Sequence, residues 1–277
     1  MPNESWTSIL EGRSFVKVLS LYYNVIESLK GYAPDDPRVV RSHGLAAKLF
    51  HHAASAYWLS KGTRVPDMAD IAVDFHDHGS ITLIARAALE SYLTFYYIFL
   101  DPDSDDEFEF RYNGWMLAGL AVRERYPFRF AEHQAVVAAE KPVYESHRKA
   151  IKGTSRYRGL KPAAQRRVLK GKRWRFHGWV EIARKAGFGP VYSQALYEYL
   201  SDYAHSGGLA TLQVSQAQSR QEQLAYVDSS LRMIMLVLCR MIDSWTERFP
   251  KSAEGLESDP DGAHICEVLG EAVRLLP

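Results

Sequence analysis

Two pairs of polar residues stand four apart within segments of helical pattern, the spacing that puts side chains on one helix face. The first is Arg86 and Glu90, in Ala85-Arg86-Ala87-Ala88-Leu89-Glu90-Ser91-Tyr92. Ala87, Leu89 and Leu93 are close in sequence, so both charges are expected to be partly buried, and buried charges need partners. The second is Ser201 and His205, in a segment ending Ala204-His205-Ser206-Gly207-Gly208, with Tyr197 extending the same row by one turn. The two glycines are expected to end that helix. His205 would then sit in its last turn, where the dipole favours the protonated imidazole. Such side chains can move a proton and hold an anion. They can equally form a hydrogen-bonded network that fixes helix register without chemistry.

A second feature is charge. Between Glu145 and Glu181 there is no acidic residue, while Arg148, Lys149, Lys152, Arg156, Arg158, Lys161, Arg166, Arg167, Lys170, Lys172, Arg173 and Arg175 supply twelve positive charges. The whole chain is +1, so the rest carries 1 − 12 = −11. A concentrated positive segment attracts polyanions, and its binding weakens with salt. Tyr157, Trp174, Phe176 and Trp179 lie in the same stretch and can stack on unpaired bases. The expected nucleic-acid-binding set is Arg156, Arg158, Arg166, Arg167, Lys172, Arg173, Arg175 and Trp174, with RNA or another polyanion as partner. The competing reading is a solvated connector at about 146–177, broken by Gly153, Gly159, Pro162 and Gly171. The acidic run Asp101–Glu109 is expected to supply a loop and a helix N-terminus, where carboxylates favour the dipole.

Metal chemistry has weaker support. Asp74 and His78 stand four apart, and Asp202 and His205 three apart, as ligands on a helix face would. The paired Glu-x-x-His motifs of di-iron bundles are missing. No cofactor is expected. There is no phosphate-binding Gly-x-x-x-x-Gly-Lys-Ser/Thr loop, no dinucleotide fingerprint and no Gly-x-Ser-x-Gly elbow. Cys239 and Cys266 are too few for a disulfide framework and lack zinc spacing, which suits a reducing compartment.

The elements that would position these groups read as helices almost throughout. From Arg220 to Phe249, apolar residues recur at steps of three and four until Pro250 stops the pattern. A helix capped at Asp35 or Asp36, with Pro37 in its first turn, runs toward Gly62. A third helical region begins after Pro66 and ends near Asp101-Pro102, with a possible break at Gly79-Ser80. Further helices are expected at about 5–31, 104–126, 130–151, 178–186, 190–206 and 263–275. No useful segment alternates with the period of a strand. The fold class is therefore all-α, one bundle of about seven to ten helices, with residues 1–277 as a single helical domain.

The 277 residues are 47% hydrophobic and 24% charged, ordinary globular usage that argues against disorder. The first residues, Met1 to Trp6, have no basic region followed by an apolar one. Tyr92–Leu100 and Leu231–Ile242 are the longest apolar runs, and both fall short of a membrane span. A cytoplasmic location without a membrane partner is the expectation.

Arg86, Glu90, Trp179, Ala183, Gly187, Tyr192, Tyr199, Ser201 and His205 together resemble an uncharacterised bacterial all-helical family, catalogued as a domain of unknown function, over Pro66 to Gly208. That family is loosely similar to HEPN proteins, many of which are metal-independent ribonucleases in toxin and phage-defence systems. The resemblance implies that His205 is general base or acid on the ribose and leaving oxygen. It implies further that Arg86 stabilises phosphate charge, Glu90 orients Arg86, and Ser201 binds substrate or His205. The sequence departs from the usual HEPN motif at Ser201, where an arginine is expected. A non-catalytic interaction protein, for instance a homodimer, and a metal-dependent bundle enzyme are the alternatives.

Overall fold

The computed structural model describes residues 12–30, 37–68 and 71–275. These are overwhelmingly helical: twelve α-helices and one 3-10 helix, more than the seven to ten expected, with one small two-stranded sheet. They pack as two compact units, one of the described residues up to 96 and from 179 onward, the other of residues 97–178.

In the first unit, α1 (Gly12–Glu27) and α2 (Arg38–Leu59) precede an antiparallel hairpin, β1 (Thr63–Met68) and β2 (Ile71–Phe75). The expected helix after Pro66 is thus replaced at its start by strands, and α3 (His78–Phe95) begins only where Asp77 caps it by accepting from the Ser80 N–H. The caps expected at Asp35 and Asp36 lie outside the described residues. Pro37 occupies the N-cap position of α2, and Gly62 follows its end with φ 107°. The chain returns through α8 (Trp179–Lys185), α9 (Pro190–Ala204), α10 (Gly208–Gln216), α11 (Arg220–Arg248), the 3-10 helix Pro250–Ser258 and α12 (Pro260–Leu275).

Two helices organise this unit. On α11, a Ser219–Glu222 capping box fixes the start, and Val227, Ile234, Met235, Leu238, Met241, Ile242 and Trp245 of the apolar stripe are buried. On α3, Ile81, Leu89, Tyr92, Leu93 and Phe95 are buried. The two meet through a Phe95–Trp245 ring stack at 5.5 Å and the hydrogen-bonded pairs Thr82–Ser230 (2.8 Å) and Tyr92–Ser244 (3.1 Å). These bonds satisfy hydroxyls that would be costly to bury alone. A π turn, Tyr96–Leu100, continues α3. Together they are long and apolar enough to cross a membrane by length and composition, but 61% of the most apolar stretch is buried, as in a core helix.

In the second unit, α4 (Asp105–Arg125) and α5 (Ala131–Gly153) are followed by α6 (Ser155–Arg158), α7 (Pro162–Leu169) and a segment without helix to residue 178. Residues 146–177, expected as a connector, are mostly helical here. The core is Phe110, Leu117, Ile151 and Val168, flanked by Tyr144, Tyr157, Leu160, Leu169 and Phe176. At the start of α4, Ser104 is the N-cap and Asp105, Asp106 and Glu107 occupy the first turn, as the acidic run predicts. Nearby, Arg111 has a side chain only 8% exposed and binds Asp101 at 2.5 Å, Glu107 at 2.6 Å and the Tyr97 carbonyl at 2.7 Å. Its buried charge is therefore fully engaged.

Candidate functional site

Two candidate sites follow from these elements, one in each unit. In the first, Arg86 and Glu90 project from one face of α3. The Arg86 Nε donates to a Glu90 carboxylate oxygen at 3.1 Å. The second partner is Tyr197 of α9: the Arg86 Nη2 donates to its phenol oxygen at 3.2 Å, with the guanidinium 5.3 Å from the ring centroid. The Nη1 of Arg86 is buried and makes no hydrogen bond. Both charges are partly buried, with side-chain exposures of 16% for Arg86 and 31% for Glu90.

His205 lies elsewhere on α9. It is the C-cap residue, exposed, and bonds Ser201 only through its backbone N–H. Partners on α3 fall in number as those on α9 rise, Tyr197 meeting Arg86 and Tyr203 meeting His78, so the helices are antiparallel. Eight residues of helix rise span about 12 Å between Tyr197 and His205. The structure thus brings Arg86, Glu90 and Tyr197 together, without Ser201 or His205. The helix end is not made by Gly207-Gly208 as expected. Ser206 takes the left-handed conformation, at φ 53°. A Cβ at Gly207 would fall 1.8 Å from Asp202 Oδ1, so a larger residue there would displace the Asp202 carboxylate. Asp202 itself is engaged in capping α10, accepting from the Ala210 N–H at 2.7 Å.

Between α3, α9 and α11 lies an aromatic cluster that includes Tyr199 and Tyr203, whose helical spacing reads as a packing row. His78 stacks on Tyr226 at 5.0 Å and meets Tyr203 edge-on at 6.4 Å, while Tyr199 and Tyr203 lie 5.3 Å apart. Burial lowers the His78 pKa and raises those of Tyr199 and Tyr203. Its Nε2 is buried without a hydrogen-bond partner. Asp74 belongs to β2, so it does not share a helix face with His78. No group of three metal-ligating side chains occurs among the described residues.

The second candidate is the basic face of residues 97–178. That unit carries 17 Lys and Arg against 10 Asp and Glu, or +7, leaving 1 − 7 = −6 for the rest. Its cations divide into two sets. Arg156 lies 3.7 Å from Glu107 and near the Phe176 ring, and Arg158 donates to the Gly153 carbonyl at 2.7 Å. Arg173 stacks over Phe176 at 4.2 Å and Arg175 lies 6.0 Å from the Trp174 ring centroid. Arg166, Arg167 and Lys172 form the other set with Lys149, Lys152, Lys161 and Lys170: all seven are exposed, and none has a side-chain partner among the described residues. On α7 the buried Val168 turns Arg166 and Arg167 outward, and Lys170 continues their face one turn on.

Three aromatic residues of the stretch, Tyr157, Phe176 and Trp174, pack against the same unit. Tyr157 and Phe176 pack on the core, Phe176 lying 5.7 Å from Phe110. Trp174 meets Tyr97 edge-on at 6.0 Å and backs onto Gly114. Gly171, at φ 60°, brings the following segment against α4: a Cβ there would fall 2.5 Å from that of Ala121. Lys172 is thereby placed beside α7. No family model, curated protein or solved structure matches this chain.

Proposed function

We propose that residues 97–178 form a nucleic-acid-binding module that holds the phosphate backbone, with RNA as the partner. The observation that carries this reading is the set of seven exposed cations without acidic partners among the described residues, Lys149, Lys152, Lys161, Arg166, Arg167, Lys170 and Lys172. Cations meant for internal neutralisation would be met by carboxylates, as Arg111 is met by Asp101 and Glu107. Phosphate contacts give affinity and salt dependence without reading sequence.

The reading is one of binding rather than cleavage. A ribonuclease built on Arg86 and His205 would need both at one phosphate, and Tyr197, which Arg86 contacts, stands two helical turns from His205 along α9. The test is titration of fluorescently labelled RNA with the full chain at several salt concentrations. Affinity that falls steeply with salt, and collapses in the Arg166→Gln, Arg167→Gln, Lys170→Gln, Lys172→Gln variant, is the expected result. Salt-independent binding, or none, would remove the proposal.

A further inference from the structure

Residues 170–174 run along α4 in the opposite direction. Arg125, at the end of α4, donates to the Lys170 carbonyl at 3.4 Å, Gly171 lies against Ala121 and Ala118, and Trp174 backs onto Gly114. These contacts use the face of α4 that carries Gly114, Ala118 and Ala121, at steps of four and three. On the side toward α5, Arg123 pairs with Glu140. Between the two, Trp115, Gly119 and Val122 form a strip, again at steps of four and three. Trp115 is half-buried, and Gly119 and Val122 are exposed.

A groove of about 410 Å³ opens over this strip, with Trp174 as one wall. The volume falls in the range of about 300–1,000 Å³ typical of small-ligand sites. Among the described residues no carboxylate lines it, and the one charged side chain that does, Arg123, is engaged by Glu140. Its interior therefore suits a flat, uncharged ring rather than an ion. Gly119 keeps the strip open. A glycine inside a helix weakens it relative to alanine, yet packing does not require this one, since a Cβ there would meet nothing within 4 Å. Helical side chains lean toward the N-terminus, so any side chain at 119 would lie over Trp115, one turn earlier.

The charges lie at the rim. Lys170 and Lys172 are carried by the segment that walls the groove, and both are exposed without a side-chain partner among the described residues. An aromatic floor beside a row of cations holds single-stranded nucleic acid, the bases stacking on rings while the cations track the backbone. A duplex keeps its bases stacked on one another and has none to offer. We infer that this groove seats an unpaired base of single-stranded RNA, stacked on Trp115, with Lys170 and Lys172 on the adjoining phosphates. The inference rests on the phosphate-backbone reading of this unit and adds which form of RNA is held. Trp115 is the stacking platform, whereas Trp174 is a wall fixed by its contact with Tyr97.

The experiment compares the full chain with Gly119→Leu in anisotropy titrations of a labelled single-stranded RNA and a duplex of the same length, at several salt concentrations. Leucine fills the groove over Trp115, and its helix propensity keeps α4 folded, as unfolding curves will verify. The expected result is a loss of about tenfold or more on the single strand, none on the duplex, and unchanged salt slopes on both. Trp115→Leu keeps an apolar side chain on the strip but removes the indole, and is expected to show the same selective loss. An equal loss on both RNAs, or a single strand bound as tightly by Gly119→Leu as by the wild type, would overturn the inference. In either case a steep salt slope that collapses when Arg166, Arg167, Lys170 and Lys172 are replaced leaves the phosphate reading standing. Salt-independent binding, or none, removes both.

Discussion

Arg86 reaches from α3 to α9 and donates to the phenol oxygen of Tyr197 at 3.2 Å, while Glu90 holds its Nε at 3.1 Å. This bridge ties two helices whose other contacts are largely aromatic. Its three members span neutral and charged groups, so each contributes differently when removed.

Arg86→Met is expected to destabilise the protein by about 1–3 kcal/mol, because Glu90 and the Tyr197 hydroxyl lose their donor while partly buried. Tyr197→Phe removes only the acceptor and is expected to cost about 1 kcal/mol. Urea unfolding of the two variants and their combination forms a double-mutant cycle. The expected sign is a double-variant cost smaller than the sum of the single costs. Strict additivity would show that Arg86 and Tyr197 do not interact in solution.

How much of this was legible in the sequence follows from the kind of signal each feature leaves. The α11 stripe and its Pro250 stop are local periodicities, and the helix forms where they predict it. The 63–75 hairpin was missed because it is short and its strands make no sustained alternation around Pro66. Gly208–Gln216 was missed as a helix because the preceding glycines read only as an ending. The Arg86–Glu90 pair is a property of one helix and was readable. Its meeting with Tyr197 rather than His205 depends on the register of α3 against α9, which packing sets and spacing does not encode. Charge accumulation in 148–175 was equally readable, but the division into engaged and unpartnered cations required Glu107, Phe176 and Val168 to be placed in space.

The buried His78 predicts a pH dependence. Burial holds its pKa below the ordinary value near 6.5. The unfolded chain therefore binds the proton first as pH falls, and between the two values it carries more protons than the folded one. Stability is then full above about pH 6.5 and is lost as pH drops toward the folded value. His78→Phe keeps a ring against Tyr226 but takes up no proton, so its unfolding free energy should depend less on pH between about 5 and 7. His52, whose pKa burial also lowers, should leave a residual slope. Equal pH slopes for wild type and variant would show that His78 titrates in the folded state as it does in the unfolded chain.

Gly171 is a sharp test of how the basic segment is seated. Its φ of 60° favours glycine, and a Cβ would sit 2.5 Å from the Ala121 Cβ and 2.9 Å from the Leu117 carbonyl oxygen. Conformational cost alone is about 1 kcal/mol, and the clash with α4 adds to it, so Gly171→Ala should cost at least about 2 kcal/mol. Gly153, with nothing within 4 Å of its Cβ position, provides the control. Gly153→Ala, at the end of α5, should be neutral or slightly stabilising. Thermal unfolding of both variants checks this. A neutral Gly171→Ala would mean that the segment is not held against α4.

The salt dependence of RNA binding separates charge from stacking. Each phosphate left without its protein cation should reduce the slope of log K against log salt by about 0.7 on a single strand and about 0.9 on a duplex. Replacing Arg166, Arg167, Lys170 and Lys172 by glutamine should therefore lower the slope by up to about 3 or 4. Trp174→Leu gives the complementary outcome. Its ring packs on Tyr97 within the second unit, so the substitution should lower stability while leaving the salt slope unchanged. If instead Trp174→Leu weakened RNA binding without a fall in stability, the ring would be stacking on a base, and the bound state would present it differently. Anisotropy titrations at four or more salt concentrations, run beside unfolding curves for each variant, distinguish the two because the slope counts charges whereas the unfolding curve reports the packing of the ring.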